Sequence, residues 1–326
     1  MSDIASTRTF VVAALYKFVD LSAAKLALLQ AELCALCEAE GIQGTLLLAE
    51  EGINGTVAGA PSAVETLIGH LRADAAFEDI EVKLSHAQEH PFHRLKIKRK
   101  REIVTIGDQS VRPADRVGTY VEPEDWNALV NEPDVLVIDT RNDYEYRVGH
   151  FEGAVNPNTK SFTEFPEYVR TQLDPAKHKR VAMYCTGGIR CEKSTSLLLD
   201  AGFESVYHLH GGILRYLEQV PEAESQWEGE CFVFDQRVAV THDLLEGTHV
   251  LCFACQQPLT PEQVALDSYE EGVSCLYCID TVTPERREAL RERVRQVQRA
   301  AERGERHIGD ASMASRRLRR KRAPRA

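Results

Sequence analysis

No apolar run in this 326-residue chain approaches the length needed to cross a bilayer, and the segment Phe10 to Tyr16 is far too short to do so. The opening MSDIASTRTF has no basic region followed by a long apolar stretch, so secretion and membrane insertion are not expected, and the cytoplasm is the expected location. Cysteine is too scarce for a disulfide scaffold. There are nine, and four of them fall in two close pairs near the C-terminus, which favours metal ligation in a reducing compartment. A P-loop, a flavin or nicotinamide fingerprint and a two-His-one-carboxylate grouping are also absent, so no motif names a means of activating oxygen.

What is present suits several domains. A chain of this length that is 43% hydrophobic and 27% charged can bury two or three separate cores. The net charge of −11 conceals an asymmetry: residues 284 to 326 hold 15 Arg or Lys against 6 Asp or Glu, a net +9, which leaves −20 on the rest. An acidic body with a basic arm suits a polyanionic partner approached through the arm. The run RRLRRKRAPR at 316 to 325 reads either as a nucleic-acid contact or as a disordered solubilising tail.

The first hundred residues alternate in type. TFVVAALYKF (9 to 18) has strand composition, and LSAAKLALLQAELCALCEAEG (21 to 41) has helical composition ending at glycine. GTLLLAEEGINGTVAG (44 to 59) carries a hairpin signal, PSAVETLIGHLRAD (61 to 74) opens with proline at a helix start, and IEVKLS (80 to 85) reads as a strand. The order βαββαβ is the split, ferredoxin-like α+β plan. Cys34 and Cys37, with no second pair nearby, read as core or surface thiols. HPFHRLKIKRKREIVTIG (90 to 107) then crowds Arg94, Lys96, Lys98, Arg99, Lys100 and Arg101 into one extended segment. With Phe92 and His93 it offers phosphate contact and base stacking together. It reads equally as an edge strand whose cations prevent sheet-to-sheet association.

In the middle, DVLVIDTRNDYEYRVGHFEGAVNPN (134 to 158), RVAMYCTGGIRCEKSTSLLLDAGF (180 to 203) and SVYHLHGGILRYLEQV (205 to 220) repeat a strand, loop, helix plan. That implies a parallel α/β sheet covered on both faces, with ligands at the C-terminal strand ends, where Cys185 falls. In Cys185-Thr186-Gly187-Gly188-Ile189-Arg190 the two glycines let the backbone curl so that successive N–H groups point inward beside a helix start. Arg190 adds fixed positive charge. Such a setting lowers a thiol pKa and makes Cys185 a candidate nucleophile.

Asp139-Thr140-Arg141, Glu145, Gly149-His150, Gly153-Ala154 and the Cys185 to Arg190 loop, closed by Leu209 and Gly211-Gly212, resemble the rhodanese domain over roughly 121 to 225. In that family the loop cysteine carries a persulfide. The resemblance therefore implies Cys185 as the candidate nucleophile, Asp139 as a carboxylate bracing the site and Arg190 as electrostatic support of the loop. Cys191 is an additional thiol, read as a resolving partner or as a small packed side chain. The whole of residues 9 to 310 resembles a narrower family, the bacterial rhodanese-domain tRNA uridine(34) hydroxylases. GTLLLAEEGINGTVAG, HPFHRLKIKRKREIVTIG, YCTGGIRCEKS and the C-terminal paired cysteines carry the likeness, in this order. It implies tRNA as partner, O2 as co-substrate, and conversion of the wobble uridine to 5-hydroxyuridine.

The third region stands without the family. Cys252-x-x-Cys255 and Cys275-x-x-Cys278, with 19 residues between them, suit a tetrahedral, structural zinc site, although reduced thiols or paired disulfides have the same spacing. Cys231 reads as a small core residue. After Thr283-Pro284 a basic helix should bury the stripe Leu290, Val294 and Val297 and present arginines outward.

The expected organisation is a ferredoxin-like domain at 1–110, a rhodanese-like domain at 121–225, a four-cysteine zinc-knuckle region with basic helix at 226–310, and a basic tail at 311–326. Three functions are weighed: a hydroxylase in which Cys185 adds to C6 of uracil, a sulfurtransferase, and an RNA-binding adaptor with a retired rhodanese domain. Intact Cys185 and Arg190 argue against the last, and the family likeness with two basic segments favours the first.

Overall fold

The computed structural model describes residues 10–303. They divide into two compact units: one holds residues 10–91 and 96–247, the other 92–95 and 248–303. The tail at 316–325 lies outside the described residues.

The first unit opens with β1 (Phe10–Phe18), α1 (Ala23–Ala39), β2 (Gln43–Ala49), β3 (Gly52–Gly59), α2 (Pro61–Arg72), β4 (Glu81–Ala87) and β5 (Leu95–Arg99). Ser22 caps α1 by accepting a hydrogen bond from the Lys25 amide at 3.2 Å, and α2 starts at Pro61, whose missing N–H costs nothing there. Leu26, Leu29, Leu33 and Cys37 recur every three or four residues on α1 and form its buried stripe, so Cys37 is a packing residue. The sheet order is β4-β1-β3-β2-β5, the ferredoxin-like arrangement with one strand added beside β2. That added edge strand is the basic segment. Lys98, Arg99, Lys100 and Arg101 are exposed along it and just beyond, where their charge also blocks edge-to-edge pairing.

The chain continues through β6 (Thr119–Val121), α3 (Pro123–Val130), β7 (Val135–Asp139), α4 (Asp143–Tyr146), β8 (Gly149–Phe151), α5 (Phe165–Gln172), β9 (Arg180–Tyr184), α6 (Ile189–Asp200), β10 (Ser205–Leu209) and α7 (Gly212–Gln219). The parallel sheet is ordered β6-β10-β9-β7; the central strand β9 is buried almost throughout, β7 and β10 largely so, and the edge strand β6 is mostly exposed. Segment 227–247 belongs to this unit: β11 (Trp227–Gly229) pairs antiparallel with β8, and β12 (Cys231–Phe232) with β13 (Ala239–Val240) forms a hairpin.

Helix α6 is the keystone between the two sheets. Arg190 through Ser196 are all buried, a run with no exposed face, because the parallel sheet lies on one side and the N-terminal sheet on the other. Lys193, fully buried, donates to Glu102 Oε2 at 2.7 Å and reaches Glu51 Oε2 at 2.8 Å. Glu102 in turn accepts from the Ile106 and Gly107 amides, and Glu51 from Ile103, so both carboxylates are also tied to backbone. A buried ammonium is tolerable only when paired and hydrogen-bonded in this way.

The second unit contains β14 (Val250–Leu251), β15 (Pro258–Leu259), α8 (Pro261–Val264) and α9 (Pro284–Glu302). Thr283 caps α9 by accepting from the Arg286 amide. Leu290 is buried and Val294 and Val297 half-buried, while Arg293, Arg295 and Arg299 are exposed. Arg291 grips Glu270 with two bonds of 2.6 and 2.7 Å. Among the described residues no helix is long and apolar enough to cross a membrane.

Candidate active site

The Cys185 loop joins the end of β9 to the start of α6. The Gly188 amide donates to Cys185 Sγ at 3.1 Å. Gly188 sits at φ 98°, a conformation that suits only glycine, and an added Cβ would lie 2.9 Å from the Tyr16 hydroxyl. Gly212, at φ 67°, closes the loop from α7: a Cβ there would lie 2.5 Å from the Cys185 carbonyl oxygen. The glycines therefore let Tyr16 of β1 and the start of α7 pack closely against the Cys185 loop.

Burial works against a charged thiol. At Cys185 it is outweighed by a hydrogen bond from Cys191, the charge of Arg190 and the backbone amides of Cys191 and Arg190, which together hold the thiol well below its ordinary value. Cys191 is pushed the opposite way, first by burial and then by its neighbour, so it stays the protonated partner. Its sulfur also lies 3.6 Å from Thr140 Oγ1.

Arg190 is fixed by Glu145 through two bonds of 2.7 Å, with both groups buried. Burial pushes the Glu145 carboxyl up, but Arg190 more than compensates and holds it below the ordinary carboxylate range. The sequence offered Glu145 only as part of a motif. The signal that could have assigned it is the buried arginine itself, which requires a carboxylate nearby. Asp139 takes bonds of 2.7 to 3.1 Å from the Arg141 guanidinium and backbone, with both side chains fully buried, while Arg141 also donates to the Gly149 carbonyl at 2.6 Å. Asp139 thus fixes the loop after β7 through Arg141.

A second polar cluster flanks the loop. Glu192 accepts from the hydroxyls of Tyr16 at 3.0 Å and Tyr120 at 2.9 Å, and burial pushes its carboxyl up to about 7 although both tyrosine bonds oppose the rise. His210 bridges Glu81 at 2.7 Å and Glu122 at 2.6 Å. These pairs join residues far apart in the chain, and pattern reading had no access to them.

In the second unit the sulfurs of Cys252, Cys255, Cys275 and Cys278 all lie within 4.8 Å of one another. Cys255 and Cys275 are 3.5 Å apart, Cys275 and Cys278 3.8 Å, and Cys252 and Cys278 4.0 Å. Four sulfurs about 2.3 Å from a tetrahedral centre stand about 3.8 Å apart, so the donor set fits a metal ion of that geometry. Arg94, Lys96, Lys98, Arg99, Lys100 and Arg101 form one continuous stretch, with Arg94 exposed and Lys96 half-buried.

A strand-end cysteine in a glycine-rich anion nest, backed by a buried Arg–Glu pair, defines a rhodanese-like protein, and residues 122–219 match the rhodanese-like domain. Residues 10–103 match the UPF0176 acylphosphatase-like domain. The tRNA uridine(34) hydroxylase of Teredinibacter turnerae is 56% identical over 92% of this chain and 93% of its own length. That of Sinorhizobium fredii is 55% identical over 92% of this chain and 95% of its own. The chain belongs to the tRNA uridine(34) hydroxylase family.

Proposed function

We propose that this protein hydroxylates C5 of the wobble uridine of tRNA in an oxygen-dependent reaction, with Cys185 as the nucleophile. The supporting observation is the Gly188 amide 3.1 Å from Cys185 Sγ, in a loop that favours the thiolate at neutral pH. The thiolate adds to C6 of uracil, and the C5–C6 π pair moves toward C5 and the O4 carbonyl. The electron-rich C5 then takes one atom of O2. The second oxygen leaves as water, with two electrons and two protons from a cellular reductant. Loss of the C5 proton and departure of the sulfur from C6 restore the pyrimidine. Arg190 favours the thiolate before addition and again on departure, and Glu145 keeps that guanidinium in place.

The basic strand at Arg94 to Arg101 supplies phosphate contacts in this reading, and the exposed arginines of α9 add to them. Zinc at Cys252, Cys255, Cys275 and Cys278 acts as a structural cross-link, since four thiolates leave no open position for chemistry. One observation also favours sulfur transfer: the inward amide that stabilises a thiolate would equally hold a persulfide on Cys185.

Nucleoside mass spectrometry of tRNA from cells carrying wild type, Cys185→Ser or no copy of the gene separates these readings. Loss of 5-hydroxyuridine in both altered strains with thiolated nucleosides unchanged is the expected result. Persistence of 5-hydroxyuridine with a fall in thiolated nucleosides would replace the hydroxylase by a sulfurtransferase.

A further inference from the structure

An exposed phenylalanine stands beside the catalytic loop on unusually costly scaffolding. Phe234, at the tip of the β12–β13 hairpin, is 61% exposed, whereas Phe232 two residues earlier is buried. The Phe234 ring lies 5.9 Å from the Arg190 guanidinium carbon, on the loop that carries Cys185. Its edge is set by Phe232 at 5.2 Å and 88°, and Phe232 is set in turn by Tyr144 at 5.2 Å and 82°.

The bend behind it is held by a buried ion pair. Arg237 donates to both oxygens of Asp235 at 3.0 and 2.7 Å, with side-chain exposures of 5% and 2%. The same guanidinium donates to Ser85 Oγ at 2.9 Å, anchoring the bend on β4. Val238 closes the turn at φ 63°, a left-handed conformation that a β-branched side chain resists. Strain and a buried charge pair persist where the surrounding structure requires one geometry, and such features gather at functional sites. Here the geometry they maintain is an aromatic ring left open to solvent beside Arg190, at the end of the loop that carries Cys185.

We propose that Phe234 is the stacking platform for the uracil that Cys185 attacks, an inference that rests on the hydroxylase reading. Attack at C6 requires the base to leave the anticodon stack and come within bonding distance of a sulfur in a buried loop. The lost stacking must be replaced by the protein, and an aromatic face does this without discriminating against any base. The Arg190 guanidinium lies over the ring with its carbon 5.9 Å from the ring centre, and the base stacks on the ring's solvent-exposed side. Phe234 binds the substrate and takes no part in bond making.

The test uses the full-length protein and a 5-hydroxyuridine-free anticodon stem-loop RNA with either uridine or an abasic site at position 34. Phe234→Trp places a fluorophore at the platform, and the two native tryptophans, Trp126 and Trp227, are buried. Its emission should be quenched by the uridine RNA and not by the abasic one. Phe234→Leu should weaken binding of the uridine RNA by about tenfold to a hundredfold, the range for loss of one base–aromatic stack, while Phe234→Tyr stays near wild type.

Equal binding by Phe234→Leu and wild type, or equal quenching by both RNAs, overturns the platform. If wild-type cells lack 5-hydroxyuridine while uridine-specific quenching persists, the hydroxylase reading falls and the platform stands. Normal 5-hydroxyuridine in a Phe234→Leu strain, with unresponsive Phe234→Trp emission, means that the platform falls and the hydroxylase stands. Quenching instead by an apolar peptide and not by RNA would make the surface a protein dock and also overturns the proposal.

Discussion

Cys185 and Cys231 are both buried thiols within the field of Arg190, with Arg141 acting on Cys231 as well, yet they are pushed in opposite directions. Burial raises Cys231 to about 12 despite both arginines, whereas Cys185 is held well below the ordinary thiol value. The difference lies in hydrogen bonding, with the Glu145 and Asp139 carboxylates adding to the rise at Cys231. Cys185 has inward amides and the Cys191 thiol directed at it, while Cys231 reaches only the Phe232 carbonyl, an acceptor, at 3.8 Å. Nearby positive charge alone does not make a buried thiol reactive; donors aimed at the sulfur do.

Serine at each position should give the largest contrast. Cys185→Ser is expected to reduce 5-hydroxyuridine in cellular tRNA to background, and Cys231→Ser to leave it within about threefold of wild type, since only packing changes there. Nucleoside mass spectrometry checks both.

Glu145→Gln should erode the contrast from the other side. It leaves the Arg190 guanidinium buried without a counter-charge, so urea unfolding should show a loss of about 3–5 kcal/mol. An Arg190 that swings out of the loop would let Cys185 drift toward the behaviour of Cys231. Iodoacetamide labelling of Cys185 at pH 7 should then slow.

A pH series of that labelling sharpens the comparison in wild type. Restricted access scales the rate at every pH, but the midpoint reports the thiolate. It should fall below the ordinary thiol range of about 8.5. Cys231, raised to about 12, should stay unlabelled while the fold persists. A midpoint at or above the ordinary value would remove the distinction between the two sites.

The smallest effect belongs to Glu192, whose carboxyl is raised from 4.5 to about 7. Below pH 4.5 folded and unfolded chains both hold the proton, and the contribution to stability is complete. Between 4.5 and 7 only the folded chain holds it, so stability falls as pH rises and the loss is complete above 7. Glu192→Gln lacks this slope. Its melting temperature should therefore gain on wild type by roughly a few degrees between pH 5 and pH 8.

Much of the fold was legible because hydrophobic periods repeat locally. The stripe Leu26, Leu29, Leu33 and Cys37 declares a helix, and the apolar run ending at Asp139 declares a buried parallel strand. The thiol loop was legible because its glycines and Arg190 lie within six residues of Cys185. What could not be read was long-range pairing. Lys193 looks like a surface lysine until Glu102, 91 positions away, is placed against it. Glu192 likewise acquires its tyrosines only when the two sheets close over α6. Phe234 was invisible for a different reason: periodicity marks residues that are buried, and this ring matters because it is exposed.

The Lys193 bridge sets a limit on how this protein can be taken apart. The ammonium sits one turn beyond the Cys185 loop, and both of its counter-ions come from the neighbouring fold. A rhodanese segment expressed alone, or grafted behind a foreign leader, would retain the cation and lose both anions at the start of the helix that follows the Cys185 loop. Recombination between relatives should therefore tolerate crossovers that keep Glu51, Glu102 and Lys193 from one parent, and reject those that split them. By that criterion the two halves should exchange only as a single cassette.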